Sequence, residues 1–215
     1  MVIRMKNCFS GKAYNRLLAS YIVLLLAIVL SGFQSLPSRA QSQTASASVN
    51  IENFGMLNEN YYRGSQPNAS QLADLKKLGV KTVIDLRKDK VEKASEWARA
   101  AGLQYINIPL TTKRAATEEQ TNYFLNLVND PANWPVYVHC KGGRHRTGEM
   151  SAIYRITENG WTAEQAYKEM KKYDFENGFF YPRSLKKYVF TYYDQFLSKK
   201  TSNVPADGKA SGTAP

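Results

Sequence analysis

Ten consecutive residues hold the densest chemistry in the chain: His139-Cys140-Lys141-Gly142-Gly143-Arg144-His145-Arg146-Thr147-Gly148. They follow the apolar run Pro135–Val138 and lead into a helical pattern, so they join a strand to a helix. Gly142 and Gly143 let the backbone turn tightly and direct its N–H groups inward, and the helix start adds its positive end. Such a loop is an anion cradle of phosphate size. Arg146 adds a planar fork able to grip two oxygens of a phosphoryl group. Cys140 lies inside this positive field, where a thiol is favoured as its thiolate. It would face the phosphorus of a bound monoester for in-line attack. Thr147 is placed to hydrogen-bond the sulfur, and His139 to fix the loop through its ring nitrogens. Taken singly, these residues have plainer explanations: a buried core cysteine, a glycine turn, a solvated helix start. Cysteine, five residues, arginine and threonine together leave little room for those.

The elements that must position this loop are legible around it. Lys81–Leu86, Gln104–Leu110 and Pro135–Cys140 read as strands, with Tyr61–Arg63 as a short edge strand. Helices are predicted over Ser70–Leu78, Val91–Ala101, Thr117–Val128, Thr147–Glu158, Thr162–Met170 and Ser184–Leu197. Thr117 with Gln120, and Thr162 with Gln165, form capping boxes. Alternation of strand and helix predicts an α/β fold: one domain over residues 51–198, with a mainly parallel sheet of four to five strands and helices on both faces. Ligands gather at the carboxyl ends of such strands, where the cysteine loop sits. Residues 41–50 read as a flexible lead-in and 199–215 as a disordered tail.

The segment HCKGGRHRTG resembles the signature of the cysteine-dependent protein tyrosine phosphatases: His-Cys, five residues, Arg, then Ser or Thr. Gly143 fits the glycine three after the cysteine. Tyr62-Arg63-Gly64-Ser65-Gln66-Pro67 and the run from Leu78 to Arg87 are similar to plant, fungal and bacterial atypical dual-specificity phosphatases, and the likeness spans roughly Phe54 to Leu197. The resemblance implies Cys140 as nucleophile, Arg146 as phosphate clamp and Thr147 as helper. It also implies binding amides from Lys141, Gly142, Gly143, Arg144, His145 and Arg146, with no metal or other cofactor.

In the family, an aspartate about thirty residues before the cysteine supplies the leaving-group proton. The corresponding loop here, Pro109–Ala116, has no carboxylate. Glu119 and Glu118, opening the next helix, are the expected substitutes, although acidic residues suit a first helical turn for dipole reasons alone. Asp85, Asp174 and Glu176 are further candidates. The cationic rim of Lys141 and Arg144, with His145 a third charge if protonated, suits substrates bearing additional phosphates. The expected function is a protein tyrosine or dual-specificity phosphatase acting through phosphocysteine. The alternatives are an inositol polyphosphate or pyrophosphate phosphatase and a non-catalytic phosphate-binding protein. A thiol redox protein is disfavoured because no resolving cysteine accompanies Cys140 beyond residue 40, and because Arg146-Thr147 would then have no purpose.

The net charge of the 215 residues is +11, but part of it belongs to the N-terminus. Arg4, Lys6, Lys12 and Arg16 precede the uncharged run Leu17–Leu30, and Ser38-Arg39-Ala40 offers a cleavage site. That order predicts a signal peptide over residues 1–40, or an uncleaved signal anchor. The expected location is therefore the periplasm, with an inner-membrane anchor facing it as the alternative. The 175 residues beyond Ala40 carry 24 basic and 18 acidic side chains, a net +6, and no dense basic–aromatic run. Nucleic acid is therefore not an expected partner. Membrane contact is expected only if the N-terminal segment is retained, and the chain is expected to act as a monomer. Two histidines and two cysteines leave little with which to build a metal site.

Overall fold

The computed structural model describes residues 49–89, 92–177 and 181–202. Two runs in it are buried at every position: Thr82–Arg87 (β3) and Val136–His139 (β5). A strand tolerates this only in the middle of a sheet covered on both faces. The two pair in parallel, with Tyr61–Gly64 (β2) beside β5 and Gln104–Leu110 (β4) beside β3, also in parallel. Gly55–Asn58 (β1) adds antiparallel to β2, giving the order β1-β2-β5-β3-β4.

Side-chain alternation along the strands divides the core in two. Val83 and Tyr137 face Leu72 and Leu75 of helix α1 (Ala69–Lys77) and Ala98 of α2 (Glu92–Ala100). Ile84, Val136 and Val138 face Phe124 and Val128 of α3 (Glu118–Asn129) and Met150 and Ile153 of α4 (His145–Asn159). The far side of α4 packs on α5 (Ala163–Lys172) and α6 (Arg183–Ser202) through Ala152, Ile156, Met170, Leu185 and Val189. Helix α4 is thus buried without a break from Thr147 to Tyr154. It is held from two sides, and that fixes the loop that feeds it. Asn68, Thr117 and Thr162 each close a capping box with the glutamine three residues on.

The α/β domain with a mainly parallel sheet is the fold expected, with local differences. Tyr61–Gly64 is not an edge strand, because β1 covers it; β1 has one buried residue, Leu57, too little pattern to read. Val49 and Asn50 fall within the predicted lead-in, yet Val49 is buried with Ile51 against the α1 side of the sheet. Helix α6 continues to Ser202, past the predicted start of the tail. The predicted signal segment, residues 41–48, Phe179 and Phe180, and the chain from 203 onward lie outside the described residues.

Candidate active site

Strand β5 delivers Cys140 to the carboxyl edge of the sheet, only 3% exposed. The loop beyond it is held by its carbonyls. The oxygen of Lys141 accepts from the Gln66 N–H (3.1 Å), that of Gly142 from Asn53 Nδ2 (2.9 Å), and that of Gly143 from Arg63 Nη2. In a planar trans peptide the next N–H points the opposite way. The amides of Gly142, Gly143 and Arg144 are therefore directed away from those donors, toward the cleft. Gly143 has φ +66°, and a Cβ there would sit 2.5 Å from the Gly64 carbonyl carbon. Only glycine fits both the turn and the close approach. The Tyr137 hydroxyl donates to Ser65 O at 2.6 Å, clamping the segment on which the loop rests.

The cleft has a volume of about 510 Å³ and is lined by Cys140, Lys141, Gly142, Arg144, His145 and Arg146, with Glu52 and Thr112 opposite. Arg146 Nη1 reaches the carbonyls of Leu86 (3.5 Å) and Leu110 (3.3 Å), so the ends of β3 and β4 orient its guanidinium. Arg144 is paired with Glu52 at 2.5 Å, which neutralises part of the expected cationic rim. His145 packs edge-on against Phe175, and burial pushes its pKa below the ordinary range, so it adds no third charge near neutral pH. Thr147 is fully buried, and its hydroxyl has no hydrogen bond among the described residues, so the bond expected to the sulfur is not formed.

His139 is buried and stacked on Tyr137, with Nδ1 3.3 Å from the Cys140 carbonyl and Nε2 3.8 Å from Asp85. Burial lowers its pKa as well. Asp85 is not available as an acid. Its carboxylate receives Arg87 Nη2 at 2.6 Å and the Tyr105 hydroxyl at 2.7 Å. Burial alone would raise its pKa, but His139, Arg87 and Tyr105 hold it below the usual carboxylate range.

Glu118 and Glu119 do not line the cleft. Glu118 is 75% exposed and paired with Lys199 at 3.0 Å. Both carboxylates lie where a helix start favours them, as dipole complements. Asp174 and Glu176 are also absent from the lining, and Glu176 accepts from Tyr167. The carboxylate that does line the cleft is Glu52, already engaged by Arg144.

Sequence reasoning missed Asn53 and Arg63, which hold the loop from 89 and 80 residues away. It also missed Glu149, fully buried on α4, whose Oε1 accepts from the Ala116 N–H at 3.0 Å. Burial raises the Glu149 pKa to about 8. A charged residue inside the strand Tyr-Tyr-Arg-Gly was the available signal for Arg63. Glu149 gave none. No group of three or more His, Cys, Asp or Glu able to hold a metal occurs among the described residues.

The arrangement can bind a phosphoryl group on amides and guanidinium with a sulfur behind it. The chain is similar to known proteins. A family model described as "DSP-PTPase phosphatase fused to NAD+ Kinase" matches residues 34–186. The dual specificity protein phosphatase TpbA of Pseudomonas aeruginosa (strain UCBPP-PA14) is 32% identical over 167 residues, covering 73% of this chain and 74% of that protein. The crystal structure of P. aeruginosa TpbA superposes with a TM-score of 0.57 at 30% identity, over 71% of this chain and 92% of that one. Inositol diphosphatase DSP1 of Oryza sativa subsp. japonica is 28% identical over 134 residues, 56% of each chain. The core catalytic domain of the PP-IP phosphatase SIW14 from S. cerevisiae has the same fold, with a TM-score of 0.60 at 21% identity over 71% of this chain and 92% of that one.

Proposed function

The chain belongs to the cysteine-based dual-specificity phosphatase family, and from that premise we propose that it is an exported enzyme that dephosphorylates phosphotyrosine in proteins. The observation that carries the reading is the loop around buried Cys140, whose three consecutive carbonyls are tied outward so that its amides converge on one anion. Cys140 Sγ attacks phosphorus in line, the bond from phosphorus to the tyrosyl oxygen breaks, and a phosphocysteine forms. Arg146 and the amides of the loop hold the three equatorial oxygens, where charge gathers. Water then attacks phosphorus, the S–P bond breaks, and inorganic phosphate departs.

The one carboxylate lining the cleft among the described residues, Glu52, is engaged by Arg144, so the reading gives the leaving oxygen no positioned acid. Phenolate leaves readily without an acid; an alkoxide does not. That difference favours an aryl ester as substrate, and the name of the TpbA relatives supports it. Export rests on the basic, apolar and small-residue order of the first forty residues.

A second reading, inositol polyphosphate hydrolysis, is favoured by Lys141 at the rim and by the names of relatives such as inositol diphosphatase DSP1. The test is kcat/KM on a phosphotyrosine peptide, a phosphoserine peptide and an inositol polyphosphate, with EDTA present and Cys140→Ser alongside. The proposal expects the phosphotyrosine peptide to lead, and a clear lead by the inositol polyphosphate overturns it. Cell fractionation with N-terminal sequencing tests export. A periplasmic chain beginning after Ala40 is expected, a membrane-bound full-length chain gives the anchored form, and a full-length cytoplasmic chain overturns export.

A further inference from the structure

Glu52 lines the cleft, and the chain around it holds it there. Val49 and Ile51 before it are buried against the α1 side of the sheet. Phe54 after it stacks on Tyr62 and Tyr137, with ring centroids 6.0 and 6.3 Å apart. The Ile51 carbonyl accepts from the Phe54 N–H at 3.2 Å, which closes a turn, and Asn53 takes φ +55° within it. Three bonds fasten this turn to the segments around Cys140. The Glu52 carbonyl accepts from the Ser65 N–H (2.9 Å), Asn53 Nδ2 donates to the Gly142 carbonyl (2.9 Å), and Arg144 Nη2 donates to Glu52 Oε1 (2.5 Å).

Arg144 folds back across its own loop to make that last contact. A Cβ on Gly142 would stand 3.6 Å from Arg144 Nε and 3.7 Å from its Cδ and Cγ, so the arginine stem crosses Gly142 on its way to Glu52. Nε is buried there without a hydrogen bond among the described residues. The Arg144 and Glu52 side chains are 32% and 56% exposed. A pair so placed adds little stability, but it decides which charges stand at the mouth of the cleft. A monoester presents one phosphoryl group, which the loop amides and Arg146 take. A polyphosphorylated substrate must lay its remaining phosphates on the rim. One arm of the Arg144 fork is already spent there. A second phosphate recruits it only by breaking the pair and setting two anions side by side.

We propose that Glu52 is a specificity-determining residue: paired with Arg144 at the mouth of the cleft, its carboxylate turns away substrates bearing several phosphates and leaves isolated aryl phosphates as the preferred class. The inference rests on the reading of Cys140 as nucleophile and deepens the substrate assignment of that site.

The experiment compares kcat/KM on inositol hexakisphosphate and on an aryl phosphate in Glu52→Gln, Arg144→Gln and the double variant. Inositol hexakisphosphate is read as a competitive inhibitor where it is not turned over. Gln at position 52 keeps an acceptor for Arg144 and removes only the charge. The preference ratio, polyphosphate over aryl phosphate, should rise about tenfold in Glu52→Gln, carried by KM rather than kcat. It should fall in Arg144→Gln, which leaves the carboxylate unmatched. In the double variant, whose rim charge equals the parent's, it should return toward the parent. Raising salt from about 0.1 M to about 1 M shrinks the Debye length from about 10 to about 3 Å and should compress these differences. A ratio that fails to rise in Glu52→Gln or to fall in Arg144→Gln, or a double variant no closer to the parent than Glu52→Gln, overturns the proposal and leaves the pair a strut for the loop. Should Arg144→Gln fail to fold by circular dichroism, Glu52→Gln alone decides. A parent inactive on both substrates, or activity surviving in Cys140→Ser, sinks the catalytic reading separately. Calorimetric affinities for inositol hexakisphosphate and inorganic phosphate then decide the proposal by the same criterion.

Discussion

In the loop from Lys141 to Gly143, three successive carbonyls are fastened from outside by Gln66, Asn53 and Arg63. Across the cleft, the loop from Thr111 to Ala116 is fastened only near its ends among the described residues. There Arg146 bonds Leu110 O, Gln120 bonds Pro109 O, and Glu149 accepts from Ala116 N–H. Thr112, Lys113 and Arg114 between those points are exposed. The first loop must hold several dipoles on one small anion, where an error of an ångström forfeits most of their effect. The second borders the cleft through Thr112 and carries no carboxylate. Rigidity is concentrated where charge develops.

The contrast breaks most visibly at Cys140. Cys140→Ser should lower turnover of an aryl phosphate by about 10⁴-fold or more while the loop still binds phosphate, because nucleophile and anion site are separate contributions. Steady-state kinetics beside vanadate or phosphate binding checks both halves. Gly143→Ala should do the reverse damage. A side chain at φ +66° with its Cβ 2.5 Å from Gly64 forces the loop out of register. We expect a loss of about 100-fold in kcat/KM, with phosphate affinity falling alongside, and a stability cost of about 1–3 kcal/mol in urea denaturation.

Glu149 sharpens the comparison from the other loop. Its carboxyl stands near 8 in the native protein against an ordinary 4.5, because burial disfavours the charge. Between those values the native state keeps a proton that the unfolded chain has released, so stability falls as pH rises, by up to about 1.4 kcal/mol per unit. Glu149→Gln should flatten that slope between pH 5 and 8 in urea denaturation. A parent and variant with equal slopes would mean that Glu149 is ionised in the native state.

The residues of the cysteine loop were legible because the chemistry expected of them dictates their types and spacing: a thiol, small turning residues, a fork six residues on. Strands β3 and β5 were legible because burial on both faces leaves continuous apolar runs. The support was not. Asn53 and Arg63 meet the loop through bonds spanning 89 and 80 positions, and nothing local in either residue announces its partner. Glu149 stayed hidden for another reason. A glutamate in a helix ordinarily marks a solvated face, but α4 is enclosed from both sides and has no such face. Glu118 and Glu119 looked like acids in search of a substrate, and they serve the helix start.

The smallest expected effect concerns the outer rim and separates the two substrate readings. Beyond Arg146 and Thr112 the cleft opens into a second hollow of about 480 Å³, bordered by Lys88, Asp89, Leu110, Thr111 and Lys113. Its lysines are exposed, so each contributes little to a small monoester. Lys88→Ala and Lys113→Ala should change kcat/KM on an aryl phosphate by less than about twofold, as surface charges usually do. A substrate with several phosphates would reach them, and removing each charge-assisted hydrogen bond would then cost about tenfold, on the order of 1.5 kcal/mol. If the variants discriminate strongly against inositol polyphosphate but spare phosphotyrosine peptide, the hollow is a polyanion subsite beside an aryl phosphatase centre. If both substrates lose little, specificity resides in the fastened loop alone, and the open loop merely borders it.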